Sequence, residues 1–169
     1  GAILILLMVG ALAGTWMVSG IIPSMIYYGL QILSPAIFLP ATLIICSVIS
    51  IATGSSWTTS ATVGIALIGI GGALGFDLGM VAGAVISGAY FGDKLSPMSD
   101  TTNLAPAMAG TDLFTHIKYM TLTTIPTYII TLILFIVLGL SVDVTGDANT
   151  DDLLNSITAS FNVTPWLFL

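Results

Sequence analysis

Arginine and glutamate are absent from this 169-residue sequence, and Lys94, Lys118, His116 and Cys46 are its only lysines, histidine and cysteine. Charged residues make up 6% of the chain, where an ordinary soluble domain carries about 25%. Two separated ammonium groups cannot neutralise a row of phosphates, which excludes a nucleic-acid partner. Without a cluster of His or Cys there is no imidazole or thiolate set for a transition metal, and no cofactor is implied. Cys46 sits alone inside the apolar run AIFLPATLIICSVIS, so it forms no intrachain disulfide and says nothing of redox compartment. The first apolar run follows Gly1 without a basic stretch and is too long for the core of a signal peptide. PWLFL, over 165–169, reads as the start of another apolar segment, and a piece of a longer protein is expected.

What is present is mainly apolar. Hydrophobic residues are 56% of the sequence, and the net charge of −6 comes from eight aspartates at a few positions rather than from a solvated acidic face. Residues 2–22, AILILLMVGALAGTWMVSGII, carry no charge. At 1.5 Å per residue such a run reaches roughly 31 Å, enough to cross a hydrocarbon core. A spanning helix is expected over 2–30, with Tyr27 and Tyr28 at headgroup level. A second is expected over 117–140, kinked at Pro126, followed by a polar loop over 141–164 with Asp143, Asp147, Asp151 and Asp152. Lys118 and His116 before that span, and four acids after it, put TDLFTHIK in the cytoplasm. An imidazole can relay protons, but beside Lys118 in a loop His116 reads as an interface residue. Asp77 reads as a solvated loop acid and Asp112 as a helix cap.

Two segments do not read as plain spans. Residues 36–75 are two short apolar arms around TGSSWTTSAT, 53–62, where seven of ten residues are hydroxylic. Irregular backbone at membrane depth is tolerated only inside protein or along a wet cavity, so a re-entrant helical hairpin is expected. Thr53, Ser55, Ser56, Thr58 and Thr59 are its candidate tip ligands. The structural alternative is that these hydroxyls bond back to helix carbonyls or bridge helices, with Trp57 as a packing wedge. Residues 79–110 predict a broken helix: Pro97 removes a backbone donor and restricts Ser96, leaving GDKLSPMSDTTN, 92–103, unwound between half-helices. Gly88 and Gly92, like Gly75, Gly79 and Gly83, recur every fourth residue and predict close approach of a neighbouring backbone.

The unwound stretch concentrates Asp93, Lys94 and Asp100 within eight positions. A charge at the bilayer centre costs at least about 2.5 kcal/mol, so an ionisable residue there is by default functional. Lys94 can serve as charge partner to one Asp, which leaves one carboxylate in need of a mobile cation or a proton. Ser96, Ser99, Thr101, Thr102 and the side-chain carbonyl of Asn103 add hard oxygen ligands suited to sodium, and half-helix ends with unwound carbonyls hold sodium or protons in transporters. Asp100 and Asp93 are the candidate carboxylates for transient sodium and for protons, in an order that spacing leaves open. Capping of the resumed helix is the structural alternative for Asp100, and a structural ion pair is the alternative for Asp93 and Lys94. A dehydrated carboxylate holds sodium or a proton but not both, and alternating access converts that exclusion into antiport without a covalent step. An intramembrane aspartyl protease is disfavoured, because AYFGD has Tyr90 where a Gly-x-Gly-Asp motif needs Gly and no earlier helix offers a facing Tyr-Asp. An enzyme is not expected.

GSSWTTSATVGIALIGIG and GAVISGAYFGDKLSPMSDTTNLAPAMAGTDLFTHIKYM resemble the NhaC-type sodium/proton antiporter family of the ion-transporter superfamily, over nearly the whole chain from Ile3 to FNVTPWLFL. Thr58, where a Gly follows the Trp in the family, and Ser60 depart from its pattern. The resemblance implies an all-α integral membrane protein of inverted-repeat topology, each repeat holding a re-entrant hairpin and a discontinuous helix, with this chain as one half. The expected partners are the lipid bilayer, sodium, protons and the remaining half of the transporter, with a homodimer left open, in the cytoplasmic membrane as a multi-pass protein. The implied activity is exchange of sodium for protons. Organic-anion exchange of the malate/lactate type is the alternative, and a cation channel or structural membrane subunit the remote one. Lys94 and helix N-termini are the only positive charge available to an organic anion, which tilts the reading toward ions alone.

Overall fold

The computed structural model describes residues 2–142 and 150–164, so Asp143, Asp147 and the terminal segment 165–169 lie outside the described residues. The helices are α1 (Ala2–Val18), α2 (Ile21–Ile32), α3 (Pro35–Thr53), α4 (Ser56–Thr59), α5 (Ile65–Ala73), α6 (Leu78–Leu95), α7 (Asp100–Ala109), α8 (Leu113–Ser141) and α9 (Thr150–Ser160). A π-helical turn, Ser60–Gly64, joins α4 to α5. No strand occurs among the described residues.

The core lies where α3 crosses α6, with α5 and α8 against them. Glycine makes the crossing close. A Cβ on Gly92 would come within 2.5 Å of Ser47 O and of Ser50 Cβ, and one on Gly88 would collide with Leu43 O. This is the backbone approach expected of that pair. Gly75 does not extend the stripe, since it takes φ +85° in the turn before α6. Around the crossing, Phe38, Leu39, Leu43, Val81, Ala84 and Val85 are buried, closed over by Leu67, Ile70 and Phe135. The Ser50 hydroxyl, fully buried, donates across the interface to Ala89 O.

α3 and α8 are each long and apolar enough to cross a membrane. Most of α8 faces outward, with Leu122, Ile129, Ile130, Ile133, Leu134 and Val137 exposed. Contiguous apolar surface of this extent marks a membrane or partner interface, and a helix satisfies its backbone groups internally as a bilayer demands. The protein is an all-helical membrane protein.

Several expected boundaries shift for local reasons. The stretch 2–30 is not one straight helix: its two parts meet at 66°, because Gly20 takes φ +87° between α1 and α2, a conformation glycine adopts without strain. α8 begins at Leu113 rather than 117, since the Asp112 carboxylate accepts from Thr115 N at 3.0 Å and caps it. His116 and Lys118 therefore ride on a helix rather than in a loop, and α8 continues through Pro126. The expected loop 141–164 contains α9, whose Ile157 is buried, and the following Phe161 packs over Gly20. Asp77 is more than a solvated acid, as it caps α6 by accepting from Met80 N at 3.0 Å.

Candidate functional site

α3 ends at Gly54, whose φ of +70° turns the chain into the hydroxyl-rich tip. A Cβ there would lie 2.6 Å from the backbone carbon of Met98, so the tip rests directly on the backbone of the helix break. That break is shorter than expected. α6 holds to Leu95 and α7 resumes at Asp100, leaving Ser96–Ser99 non-helical instead of 92–103. Pro97 restricts only its immediate neighbours, and nothing in Gly92–Leu95 or Asp100–Asn103 opposes a helix strongly enough to widen the gap. Asp93 and Lys94 accordingly sit on the last turn of α6, and Asp100 to Asn103 on the first turn of α7.

Polar side chains close the break. Ser96 Oγ donates to Ile51 O at 2.7 Å and accepts from Met98 N at 3.2 Å. Thr102 Oγ1 reaches the carbonyls of Asp93 and Lys94 at 3.0 and 3.2 Å, and Asn103 Nδ2 donates to Pro97 O and Ser99 O, both at 2.7 Å. Ser99 Oγ lies 2.9 Å from Thr101 Oγ1. Thr102 and Asn103, expected as cation ligands, thus hold the carbonyls that Pro97 frees. The tip is knit in the same way. Ser55 Oγ accepts from Thr58 N at 3.2 Å and lies 3.1 Å from Thr58 Oγ1. Thr59 Oγ1 donates to Ser55 O at 2.9 Å, and the hydroxyls of Thr53 and Thr59 are 3.4 Å apart.

Tip and break meet at Asp93. Its Oδ2 accepts from Ser56 Oγ at 2.9 Å, while Oδ1 is buried and has no hydrogen-bond partner. A buried polar atom without a partner loses its hydration for nothing in return. Asp93 borders a cavity of about 520 Å³ together with Thr53, Ser55, Thr58, Asp100 and Thr101, and Val9, Gly54, Trp57 and Met98 complete its wall. None of these residues is basic, so two carboxylates set the sign of the cavity and favour a cation. Asp100 is exposed, and its Oδ1 accepts from Thr101 N at 2.8 Å.

Lys94 is not the charge partner of Asp93. Neither Asp93 oxygen accepts from it, because neighbours on a helix point about 100° apart. Its side chain borders a different cavity, between α6 and α8. Trp57, expected as a packing wedge, is exposed at the cavity wall. Val9, Gly54 and Met98 were not candidates from sequence. The glycine before SSW is a signal for the left-handed turn, whereas an apolar Val9 in an apolar run carries none.

Relatives decide the family. The model of the Na+/H+ antiporter family matches residues 88–169, which include the whole break. Over 99% of its length the chain is 50% identical to a malate-2H(+)/Na(+)-lactate antiporter of Bacillus subtilis, covering 36% of that protein. It is 47% identical to the Na(+)/H(+) antiporter NhaC of Alkalihalophilus pseudofirmus, over 95% of this chain and 35% of the relative. Identity to NhaC of Bacillus subtilis is also 47%, over 99% and 37%. This chain belongs to the Na+/H+ antiporter family. It spans about a third of the length of these curated relatives. No solved structure gives a significant match. Within the Na+/H+ antiporter family the two quoted motifs therefore carried the resemblance correctly, and these relatives are transporters by name, not enzymes.

Proposed function

We propose that the protein containing this chain is a secondary transporter that exchanges sodium for protons across the cytoplasmic membrane, with Asp93 as the carboxylate that carries either ion. The unpartnered, buried Oδ1 of Asp93 is the observation that carries the reading. Ser56 orients the carboxylate through Oδ2, which leaves Oδ1 for a proton or an alkali ion. Thr53, Ser55, Thr58 and Asp100, along the same cavity, supply further hard oxygens for sodium, the cargo. Protonation removes the charge that attracts sodium, and sodium occupies the site that a proton needs. The helix–tip–helix of α3 to α5 acts as a re-entrant hairpin facing the discontinuous α6–α7, as one part of an inverted-repeat fold whose remaining part closes the site and gates it alternately.

The test uses the full-length protein in proteoliposomes, with a pH dye reporting proton movement driven by a sodium gradient. Asp93→Asn is expected to abolish exchange, and Asp100→Asn to raise the sodium concentration needed for half-maximal rate. Wild-type exchange in Asp93→Asn would sink the assignment. A second reading couples an organic acid to the same ions. It draws on the name of the 50%-identical Bacillus relative and on the unpaired ammonium of Lys94. Malate or lactate added to the same vesicles accelerates proton movement only under this second reading.

A further inference from the structure

α6 and α8 enclose a second cavity of about 360 Å³, which shares no lining residue with the one at Asp93. Lys94 supplies its only charge. Among the described residues the Lys94 ammonium has no hydrogen bond or ion pair, and the same holds for the hydroxyls of Ser87, Tyr90 and Thr124 along the same wall. Thr124 stands out against its neighbours. Thr121, Thr123, Thr127 and Thr131 each donate to a carbonyl one turn back, at 2.6–3.1 Å, the usual habit of hydroxyls in apolar helices. Thr124 leaves its donor uncommitted. An apolar wall faces these donors, where the rings of Phe91 and Tyr128 stack with centroids 3.8 Å apart. Ser47 Oγ, 3.0 Å from the Tyr128 hydroxyl, anchors that wall to α3.

Depth limits what can enter. Thr123 to Thr131 occupy the middle of the 29-residue α8, about 15 Å from either end. A lipid headgroup does not reach that level, while an ammonium there without a partner calls for an anion. We propose that this cavity binds a small hydroxylated monocarboxylic acid, its carboxylate on Lys94 and on the hydroxyls of Thr124 and Ser87. One ammonium balances one carboxylate, and no guanidinium fork or second cation is present to hold a dicarboxylate. The volume lies near the lower end of the range of about 300–1,000 Å³ for small-molecule sites, which suits an acid of a few carbons. Lone pairs on Thr123 and Thr127, whose protons are already engaged, accept from the hydroxyl of the acid. Its carbon skeleton lies on the Phe91–Tyr128 wall. The proposal rests on the transporter reading, and not on which ion Asp93 carries.

The test is equilibrium binding of radiolabelled lactate to the purified full-length protein, in sodium-free buffer and in sodium. Saturable binding is expected, weakened about tenfold or more by Lys94→Gln, as for the loss of a hydrogen bond to a charged group, and several-fold by Thr124→Val. Thr124→Val alters no charge and carries the decision if Lys94→Gln does not fold. Asp93→Asn is expected to keep lactate binding in sodium-free buffer while losing sodium–proton exchange, which separates failure of this site from failure of the cation site. Absence of lactate binding to the wild-type protein, as when a carboxylate from the rest of the polypeptide occupies Lys94, overturns the proposal. So does unaltered lactate affinity in the variants.

Discussion

Asp93 and Lys94 are neighbours in sequence with opposite charges, yet they serve different cavities. The hydrogen bond that orients Asp93 comes instead from Ser56, thirty-seven residues away. That bond gives a direct expectation. Ser56→Ala removes the donor to Oδ2 and leaves both carboxylate oxygens without a fixed partner, so the carboxylate is free to rotate away from the tip. Sodium half-saturation of the full-length protein is expected to rise about tenfold, in line with the loss of one hydrogen bond to a charged group. Sodium-driven proton flux, measured over a series of sodium concentrations at one pH, checks this, and an unchanged half-saturation would remove Ser56 from the site. The importance of Asp93 was legible in the sequence because a charge in so apolar a chain demands a reason. Its true partner was not legible, since Ser56 is one of seven hydroxylic residues in a ten-residue tip and only the packing of tip on break selects it. Pairing by adjacency failed for a geometric reason, the helical rotation between residues 93 and 94.

Turns and breaks in this fold are set by a few residues whose backbone needs are specific. Gly54 and Gly110 both take positive φ, +70° and +66°, but they differ in surroundings. Gly110 has nothing within 4 Å of an added Cβ, whereas at Gly54 that atom would stand 2.6 Å from Met98 backbone. Gly110→Ala is therefore expected to lose only the left-handed penalty of about 1–2 kcal/mol. Gly54→Ala adds a collision that must push the tip off the break. The expected outcome is a larger fall in melting temperature of the detergent-purified full-length protein for Gly54→Ala than for Gly110→Ala, together with loss of exchange in the former alone. Equal effects in the two variants would mean that tip and break are not in functional contact. At this level the helices, the tip and the position of the break followed from apolar run length, hydroxyl clustering and Pro97. The width of the break did not, because Thr102 and Asn103 bond to freed carbonyls and let both half-helices run up to it. The bend at Gly20 escaped as well: a glycine in an apolar run is tolerated in many spanning helices, and Phe161, which packs over it, is 141 positions further along.

The cavity at Asp93 is walled by α1 through Val9, by the tip and by the break, and Asp100 and Trp57 on its rim remain exposed. An exchanger cannot work with its carboxylates open to one side continuously, since the ions would equilibrate with that compartment alone and no coupling would follow. The missing cover has an evident source in size, because the chain spans about a third of the length of its relatives. The outward apolar faces of α1 and α8, with Leu7, Met8, Ile130 and Leu140 exposed, offer surface both for lipid and for further helices. Sequence reading anticipated an incomplete transporter, but expected a half where the relatives make it nearer a third. Length alone does not tell how many helices a site needs around it. The expectation is that this 169-residue chain, expressed alone, inserts into membranes and gives no sodium-driven proton movement in everted vesicles, while co-expression with the remaining polypeptide as a separate chain restores exchange. Restored flux should disappear again with Asp93→Asn in this piece, which ties the activity to the assembled site rather than to the remainder. Exchange by the isolated chain at the full-length rate would show that the open cavity is already gated, and alternating access by the absent part would have to be abandoned.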